Sequence, residues 1–355
     1  MIITYLRSSS FNTHCFCAQQ YFLEYVLGIR SPSGIKADKG TIVHKVLEIL
    51  AYIRLTQQNN ENKHYKKQEQ FYTDDIVGKI DINEYNLDHI IESVYQYYTS
   101  QFKHHIWEVK DLKDCRLWVN KALSDHNGAF DPRNRNILQP EQHFDIVIQK
   151  PWAKYSYQTK EGLLEGYLAI KGTIDLITKV DDNTIEIVDY KTGRRLDWAT
   201  GEEKTLAKLQ NDPQLRIYHY AVSNLYPEIE HIIFTIYFIN DGGAFSVCYD
   251  KSDLPKTEDM IKQKFETIKN TTKPQLNKSW KCTKLCHFGK TTFENSHALP
   301  ILEYRDGQLC KVDTFMTKCE QIKHDIELLG INNVIDTYTS PGYTVGKYKA
   351  PGSAE

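Results

Sequence analysis

Hydrophobic positions recur at helical spacing in the first part of the chain and at two-residue spacing in the middle. This change of period sets the expected architecture. In "KGTIVHKVLEILAYI" the residues Ile42, Val43, Val46, Leu47, Leu50 and Ile53 fall on one face. They predict an amphipathic helix that a Gly-Thr pair can cap, with His44 in its first turn. Residues 57–75, "QQNNENKHYKKQEQFYTDD", are polar and predict an exposed loop or insertion. From Ile80 to about Leu123 the pattern is helical again, as in "LDHIIESVYQYYTSQF", until "NGAFDPRNRN" breaks it.

From Glu141 the period is two. The segments "EQHFDIVIQK", "LEGYLAIKGTIDLITKV" and "TIEIVDYK" are rich in Ile, Val, Phe and Tyr and predict a meander of antiparallel strands. A helix is expected from about Pro213 to Leu225, with Asn211 or Asp212 as its cap and Pro213 at its first position. "HIIFTIYFI" and "AFSVCYD" predict two strands around an "NDGG" turn, and "KTEDMIKQKFETIKN" a closing helix. The class is α/β or α+β: a central mixed sheet flanked by helices, with a helical N-terminal part. Beyond His297 one apolar hairpin stretch, "LPILEYRDGQLCKV", and one helix, "KCEQIKHDIELLG", are expected. The last twenty residues are polar and are expected to be poorly ordered. There is no internal repeat.

At 355 residues and 41% hydrophobic, the chain can bury a large core as one large domain or two ordinary ones. No run approaches the roughly 18 to 20 apolar residues of a membrane span, and the first residues do not form a secretory signal, so a cytoplasmic protein is expected. A net charge of -2 excludes a globally basic nucleic-acid binder but leaves room for a local basic channel. Between Lys269 and Lys290 there are six lysines and no acid, which is either a solvated loop or a phosphate-facing surface. Eight cysteines are too few and too irregularly spaced for a disulfide framework. Two pairs stand out, Cys15 with Cys17 and Cys282 with Cys286, each either buried thiols or part of a metal site. The phosphate loop, the dinucleotide fingerprint, the H-E-x-x-H helix and the G-x-S-x-G elbow are all absent.

The chemistry that remains is carboxylate chemistry. Asp189 and Lys191 in "IEIVDYKTGRR" are two apart on one strand and leave it from the same face. A hairpin of Ile174–Lys179 with Ile185–Tyr190 would set Asp175 across from Asp189. Either these charges end a surface hairpin, or two carboxylates and an ammonium share a small space. The second arrangement is costly without a cation between the acids, and oxygen ligands at this density suit Mg²⁺ or Mn²⁺. Gln214 and Tyr218, four apart, share a helix face near its N-terminus.

In order along the chain, "GTIVHKVLE", "KGTIDLI", "IVDYKTG" and "QLRIY" resemble the nuclease domain of the RecB and AddB type, a branch of the PD-(D/E)xK superfamily. The match covers roughly Ser8 to Lys290. It implies a restriction-endonuclease-like core in a nuclease domain over residues 1–290, with a helical insertion at about 55–135 and a C-terminal extension over 291–355. By the same resemblance His44, Asp175, Asp189 and the Tyr190 carbonyl bind the metal and Lys191 is the catalytic lysine. Gln214 and Tyr218 support the site or hold the DNA backbone, and Glu141 is an accessory acid. In several relatives one N-terminal and three C-terminal cysteines hold a [4Fe-4S] cluster. Cys17 is the counterpart of the first, but Cys282 and Cys286 are spaced differently and Thr292 stands where the third is expected. The resemblance leaves open an iron-sulfur or zinc site built from Cys15 or Cys17, Cys282, Cys286 and either His287 or a later Cys. Arg194, Arg195, Lys281 and Lys284 are candidate DNA contacts, and Trp280 is either a base-stacking or a core residue.

The function implied is a Mg²⁺-dependent deoxyribonuclease, an exonuclease of DNA recombination, repair or degradation. It would work with a helicase or recombination partner or without strand separation; if phage-encoded, it would act in the host cytoplasm. The alternatives are a structure-specific or restriction-type endonuclease on the same fold and an inactive DNA-binding scaffold.

Overall fold

The computed structural model describes residues 1–62, 69–196, 201–284, 286–289, 299–314 and 316–347. In chain order the elements are β1 (Tyr5–Leu6), α1 (Ser8–Phe16), α2 (Ala18–Tyr21), α3 (Ile35–Asn62), β2 (Phe71–Asp74), β3 (Gly78–Asp81), α4 (Leu87–Gln101) and α5 (Val109–Gly128). There follow β4 (Ile137–Val147), β5 (Lys154–Thr159), β6 (Gly162–Tyr167), β7 (Ala169–Lys179), β8 (Thr184–Lys191), α6 (Leu206–Leu209), α7 (Pro213–Leu225), β9 (His231–Phe238) and β10 (Gly243–Asp250). The last are α8 (Leu254–Lys269), α9 (Trp280–Lys284), β11 (Leu299–Arg305), β12 (Gln308–Thr314), α10 (Lys318–Leu329) and α11 (Ile331–Tyr338). A π-helical turn, Phe22–Val26, follows α2. The main sheet runs β1-β7-β8-β9-β10, with β4 also on β7.

The chain divides into two compact units. One is Pro32–Phe144 with Thr173–Pro255, and the other is Met1–Ser31, Asp145–Gly172 and Lys256–Glu355. In the first unit, β7 pairs antiparallel with β8 from Lys179↔Ile185 to Leu176↔Val188, and β8 pairs parallel with β9 from Thr184↔His231 to Lys191↔Phe238. The sheet is therefore mixed, as the class requires. The antiparallel β7–β8 pair belongs to the expected meander, and α7 crosses between β8 and β9, the kind of crossover that a parallel pair needs. Leu176, Val188 and Tyr237 pack in one buried core with Ile42, Val46, Leu50 and Ile53 of α3. These α3 residues are the ones whose periodicity predicted the helix.

The boundaries differ from expectation in three places. α3 starts at Ile35, so His44 lies in its third turn; "IKADK" contains no helix breaker and extends the helix ahead of Gly40. The segment expected as a helical insertion holds the hairpin β2–β3 beside α4 and α5. Its alternating "FYTD" and "GKID" are too short for a helical period to compete. Finally, "LEGYLAIKGTIDLITKV" forms two strands, β6 and β7, that break at Leu168.

In the second unit β1 pairs parallel with the first residues of β7, Tyr5↔Ala169 and Leu6↔Ile170, and β5–β6 is a separate hairpin. Phe22, Leu23, Phe265, Ile268, Phe288 and Ile322 are buried here. The hairpin β11–β12 and helix α10 fall where the pattern set them, and α11 follows. Residues 336–347, expected to be poorly ordered, end α11 and turn back so that the Tyr343 hydroxyl donates to the Tyr25 carbonyl at 2.8 Å. A Cβ at Gly28 would fall 2.3 Å from the Tyr343 ring, so this close approach requires a glycine there. Among the described residues no helix is long and apolar enough to cross a membrane.

Candidate active site

The β7/β8 ladder ends at Leu176↔Val188, and the residues just past that end are Asp175 and Asp189. Beyond the ladder the Tyr190 amide donates to Asp175 Oδ2 at 2.8 Å rather than to a strand carbonyl. Lys191 Nζ lies 2.5 Å from Asp189 Oδ2, and His44 Nδ1 lies 3.4 Å from Asp175 Oδ2. The predicted convergence of two carboxylates and an ammonium is therefore present, and α3 adds the imidazole. Gly40, one turn before His44, lets α3 approach the end of β8: a Cβ there would stand 2.8 Å from Thr192 Oγ1.

Helix α7 braces the same point. Asp212 caps it by accepting from the Gln214 amide at 2.9 Å, and Pro213 is its first residue. The Gln214 side chain spends both amide protons, one on Asp189 Oδ1 at 2.7 Å and one on the Tyr218 hydroxyl at 2.9 Å. Tyr218 in turn donates to the Thr173 carbonyl at 2.7 Å, on the strand that carries Asp175.

Glu141 arrives from β4 with φ of 43°, a left-handed conformation that a glutamate adopts only under constraint. Buried positions in β4 fall at 137, 140 and 144 instead of every second residue, the slip that such a kink produces. Glu141, Glu48, His44, Asp175 and Tyr190 line one small cavity.

The electrostatics are those of crowded acids. Burial would raise the Asp175 carboxyl, but His44, Lys191 and the Tyr190 amide outweigh it and hold Asp175 below its ordinary value. Asp189 is pushed up, by burial and by the neighbouring Asp175, against the pull of Lys191. Burial works against the charged forms of Lys191 and His44, yet the surrounding carboxylates raise both. Glu141 is pushed up to about 8 by burial, then by Asp175 and Glu48. Burial is the main reason that Glu141 resists ionising, with His44 and Lys45 opposing the two neighbouring acids. Carboxylate oxygens with one imidazole are a donor set that fits a hard divalent cation. The residues that would hold it are Asp175, Asp189, His44 and Glu141, with the Tyr190 carbonyl adjoining. Glu48 was missed by sequence reasoning. Its only signal is that it stands four residues after His44, one turn along the same helix face.

Of the candidate DNA contacts, Arg194 is exposed. Arg195 is engaged elsewhere: its amide donates to Asp241 Oδ2 at 2.9 Å, its guanidinium pairs with Glu203 and it covers the Phe245 ring at 4.2 Å. In the other unit Lys281 is buried over the Phe16 ring, while Trp280 is 63% exposed and so is not a core residue. For Lys284 only the backbone is described, and Thr292 lies outside the described residues.

That second unit also gathers cysteines. Burial raises the Cys319 thiol, and the charges of Cys17, Cys286 and Cys282 raise it further. Cys286 is likewise raised by burial and then by Cys17 and Cys282, although two backbone amides oppose this. The set is held locally. Cys17 Sγ faces the Gln275 carbonyl, Asn277 donates to the Phe16 carbonyl at 2.9 Å, and Gln19 donates to the Cys319 carbonyl at 3.5 Å. All four cysteines are free. Cys15 is exposed, 3.0 Å from Lys264 Nζ. Of the two options for a fourth ligand, His287 or a later Cys, Cys319 is the one whose thiol feels the other three. Cys319 could not be singled out in the sequence because only the placement of α10 brings it to them.

A family model described as the PD-(D/E)XK nuclease superfamily matches residues 8–290. Two curated proteins from Streptococcus agalactiae, serotype Ia and serotype V, named as subunits of an ATP-dependent helicase/deoxyribonuclease, are each 24% identical over 223 residues. The alignment takes in 61% of this chain and only 16% of either relative. A solved structure titled "Crystal structure of SSO0001" is 17% identical, covering 67% of this chain and 92% of that one with a TM-score of 0.25, too slight an overlap to bear on the fold. With its sheet, its paired aspartates and its lysine in that order, the chain belongs to the PD-(D/E)XK nuclease superfamily, on the RecB/AddB-like branch.

Proposed function

We propose that this chain is a divalent-cation-dependent deoxyribonuclease that hydrolyses phosphodiester bonds from DNA ends. The observation that carries the reading is the meeting of Asp175, Asp189, Lys191 and His44 at the end of one strand ladder, in pairwise contacts of 2.5 and 3.4 Å. When bound, Mg²⁺ or Mn²⁺ supplies Lewis-acid polarisation of the scissile phosphate. The chain's own groups do the rest. Asp175 and Asp189 hold their carboxylates in one orientation through Tyr190 and Gln214. Lys191, kept charged by the aspartates, is placed to orient the attacking water and to offset charge on the phosphoryl oxygens. Gln214 and Tyr218 act as positioning residues.

In the second unit Cys17 and Cys282 lie near enough to Cys286 and Cys319 to raise the thiols of both, which supports a [4Fe-4S] cluster there more than a single zinc ion, since no three of these four sulfurs stand within 4.8 Å of one another. Such a centre would fasten N- and C-terminal segments of that unit together. The relatives' printed name joins helicase and deoxyribonuclease. This supports a helicase or recombination partner as the supplier of single strands, with roles in recombination, repair or phage DNA processing as the setting.

The test is digestion of free-ended linear, end-blocked linear and circular DNA with Mg²⁺ or Mn²⁺, by the wild type and by Asp189→Ala and Lys191→Ala. The expected result is cation-dependent loss of free-ended DNA, reduced about 10²- to 10⁴-fold in both variants. Cleavage of circles would assign an endonuclease instead. Equal behaviour of all three proteins would remove the enzyme reading and leave a DNA-binding scaffold.

A further inference from the structure

The turn after α4 brings two adjacent imidazoles onto one buried carboxylate. Asp38, in the first turn of α3, is 3% exposed. His105 Nε2 lies 2.7 Å and His104 Nε2 3.5 Å from the same oxygen, Asp38 Oδ2. Ser33 Oγ donates to that oxygen as well, at 2.9 Å. Neighbouring residues ordinarily send their side chains apart. Here the tight turn closed by the His105 amide on the Phe102 carbonyl, at 3.2 Å, aims both rings the same way. Their centroids are 4.0 Å apart at 48°, and Trp107 packs edge-on against His105 at 5.7 Å.

Without a metal, His105 Nε2 pairs with Asp38 Oδ2, and His104 Nε2 also reaches the Ser33 carbonyl at 3.3 Å. The two Nε2 atoms and a carboxylate oxygen of Asp38 nevertheless lie within 4.8 Å of one another. A single cation in place of the two Nε2 protons would let all three offer lone pairs to one point. We propose that Asp38, His104 and His105 form a binding site for Zn²⁺, apart from the candidate active site.

The chemistry selects zinc over magnesium because two of three ligands are imidazoles. A tetrahedral ion with bonds of about 2.0 to 2.1 Å spaces its ligand atoms by roughly 3.3 Å. The 3.5 Å separation already matches, and the 2.7 Å one has to open by about half an ångström. Ser33 steadies the carboxylate, as outer partners of metal ligands do. The His104 side chain is 40% exposed, so water can complete the coordination. The site would tie the start of α3, the helix that carries His44, to the turn beyond α4.

The test is a titration of the EDTA-dialysed full chain with ZnCl₂, followed by calorimetry, for the wild type, the double variant His104→Gln/His105→Gln and Ser33→Ala. One binding event per chain should weaken at least about 100-fold in the double variant and about 10-fold in Ser33→Ala, while metal held by sulfur is unaffected. Superimposable isotherms for the wild type and a double variant with wild-type melting would overturn the site. Zinc-edge X-ray absorption on the wild type needs no variant. Nitrogen and oxygen neighbours with histidine outer-shell scattering support the proposal, and sulfur neighbours alone overturn it.

Discussion

The Tyr190 amide donates to Asp175 Oδ2 at 2.8 Å, at the point where the β7/β8 ladder stops. One carboxylate thus ends the sheet pairing and forms half of the acid pair. The two duties separate by substitution. Asp175→Asn keeps an oxygen for the amide and removes the charge, whereas Asp175→Ala also leaves a buried amide unpaired, which costs about 1 to 3 kcal/mol. Both variants should lose cation-dependent cleavage, and Asp175→Ala should melt lower than Asp175→Asn in EDTA. Coincident melting curves would show that the hydrogen bond does not hold the strand end.

Gln214 has no proton left for substrate, because Asp189 and Tyr218 take both. Its substitution should therefore act through Asp189. Gln214→Ala is expected to lower kcat about 10- to 100-fold with little change in KM for DNA. Gln214→Glu, which turns a carboxylate on Asp189, should cost more. Steady-state kinetics on a single linear substrate separate these effects; a rise in KM alone would assign Gln214 to DNA binding instead.

Glu141 should make the metal-free protein less stable at alkaline pH. Its folded pKa of about 8 lies above the ordinary glutamate value of 4.5, so the native state holds a proton that the unfolded chain releases. Its contribution is fully present below pH 4.5 and is lost as pH rises through about 8. Each tenfold change in proton affinity corresponds to about 1.4 kcal/mol, so the total is on the order of a few kcal/mol. Glu141→Gln, with no charge to release, should gain stability over the wild type between acid and alkaline melts in EDTA. A wild-type-minus-variant difference that does not change with pH would refute this.

Cys319 separates the four-sulfur reading from packed thiols. Cys319→Ser, purified without air, should lose bound iron and sulfide, or zinc, along with thermal stability. Cys15→Ser and Cys310→Ser, which change sulfurs outside the set, should retain both. Equal metal content in all three variants, or no metal in the wild type, would return these cysteines to the core.

Much of the site was legible along the chain because its parts obey local rules. Asp189 and Lys191 share a face by the period of a strand, and Gln214 and Tyr218 by the pitch of a helix. The apolar alternation around "IEIV" and "IDLI" requires one register, since a slip of one residue would turn every buried side chain to the wrong face. That register by itself sets Asp175 beside Asp189. The helix from Pro213 was visible for a similar reason, as its cap and its first-turn proline act over a few residues.

What tertiary structure alone decided are the meetings of segments far apart in sequence. The approach of α3 at Gly40 brings His44 to Asp175, the kink at Glu141 delivers a third carboxyl, and α10 carries Cys319 to Cys17, Cys282 and Cys286. The same holds for Asp38 with His104 and His105, where the turn beyond α4 sets the rings. Backbone periodicity states which face a side chain takes on its own element. Which element lies opposite depends on the packing of whole buried faces, a property of many residues at once that no short stretch encodes.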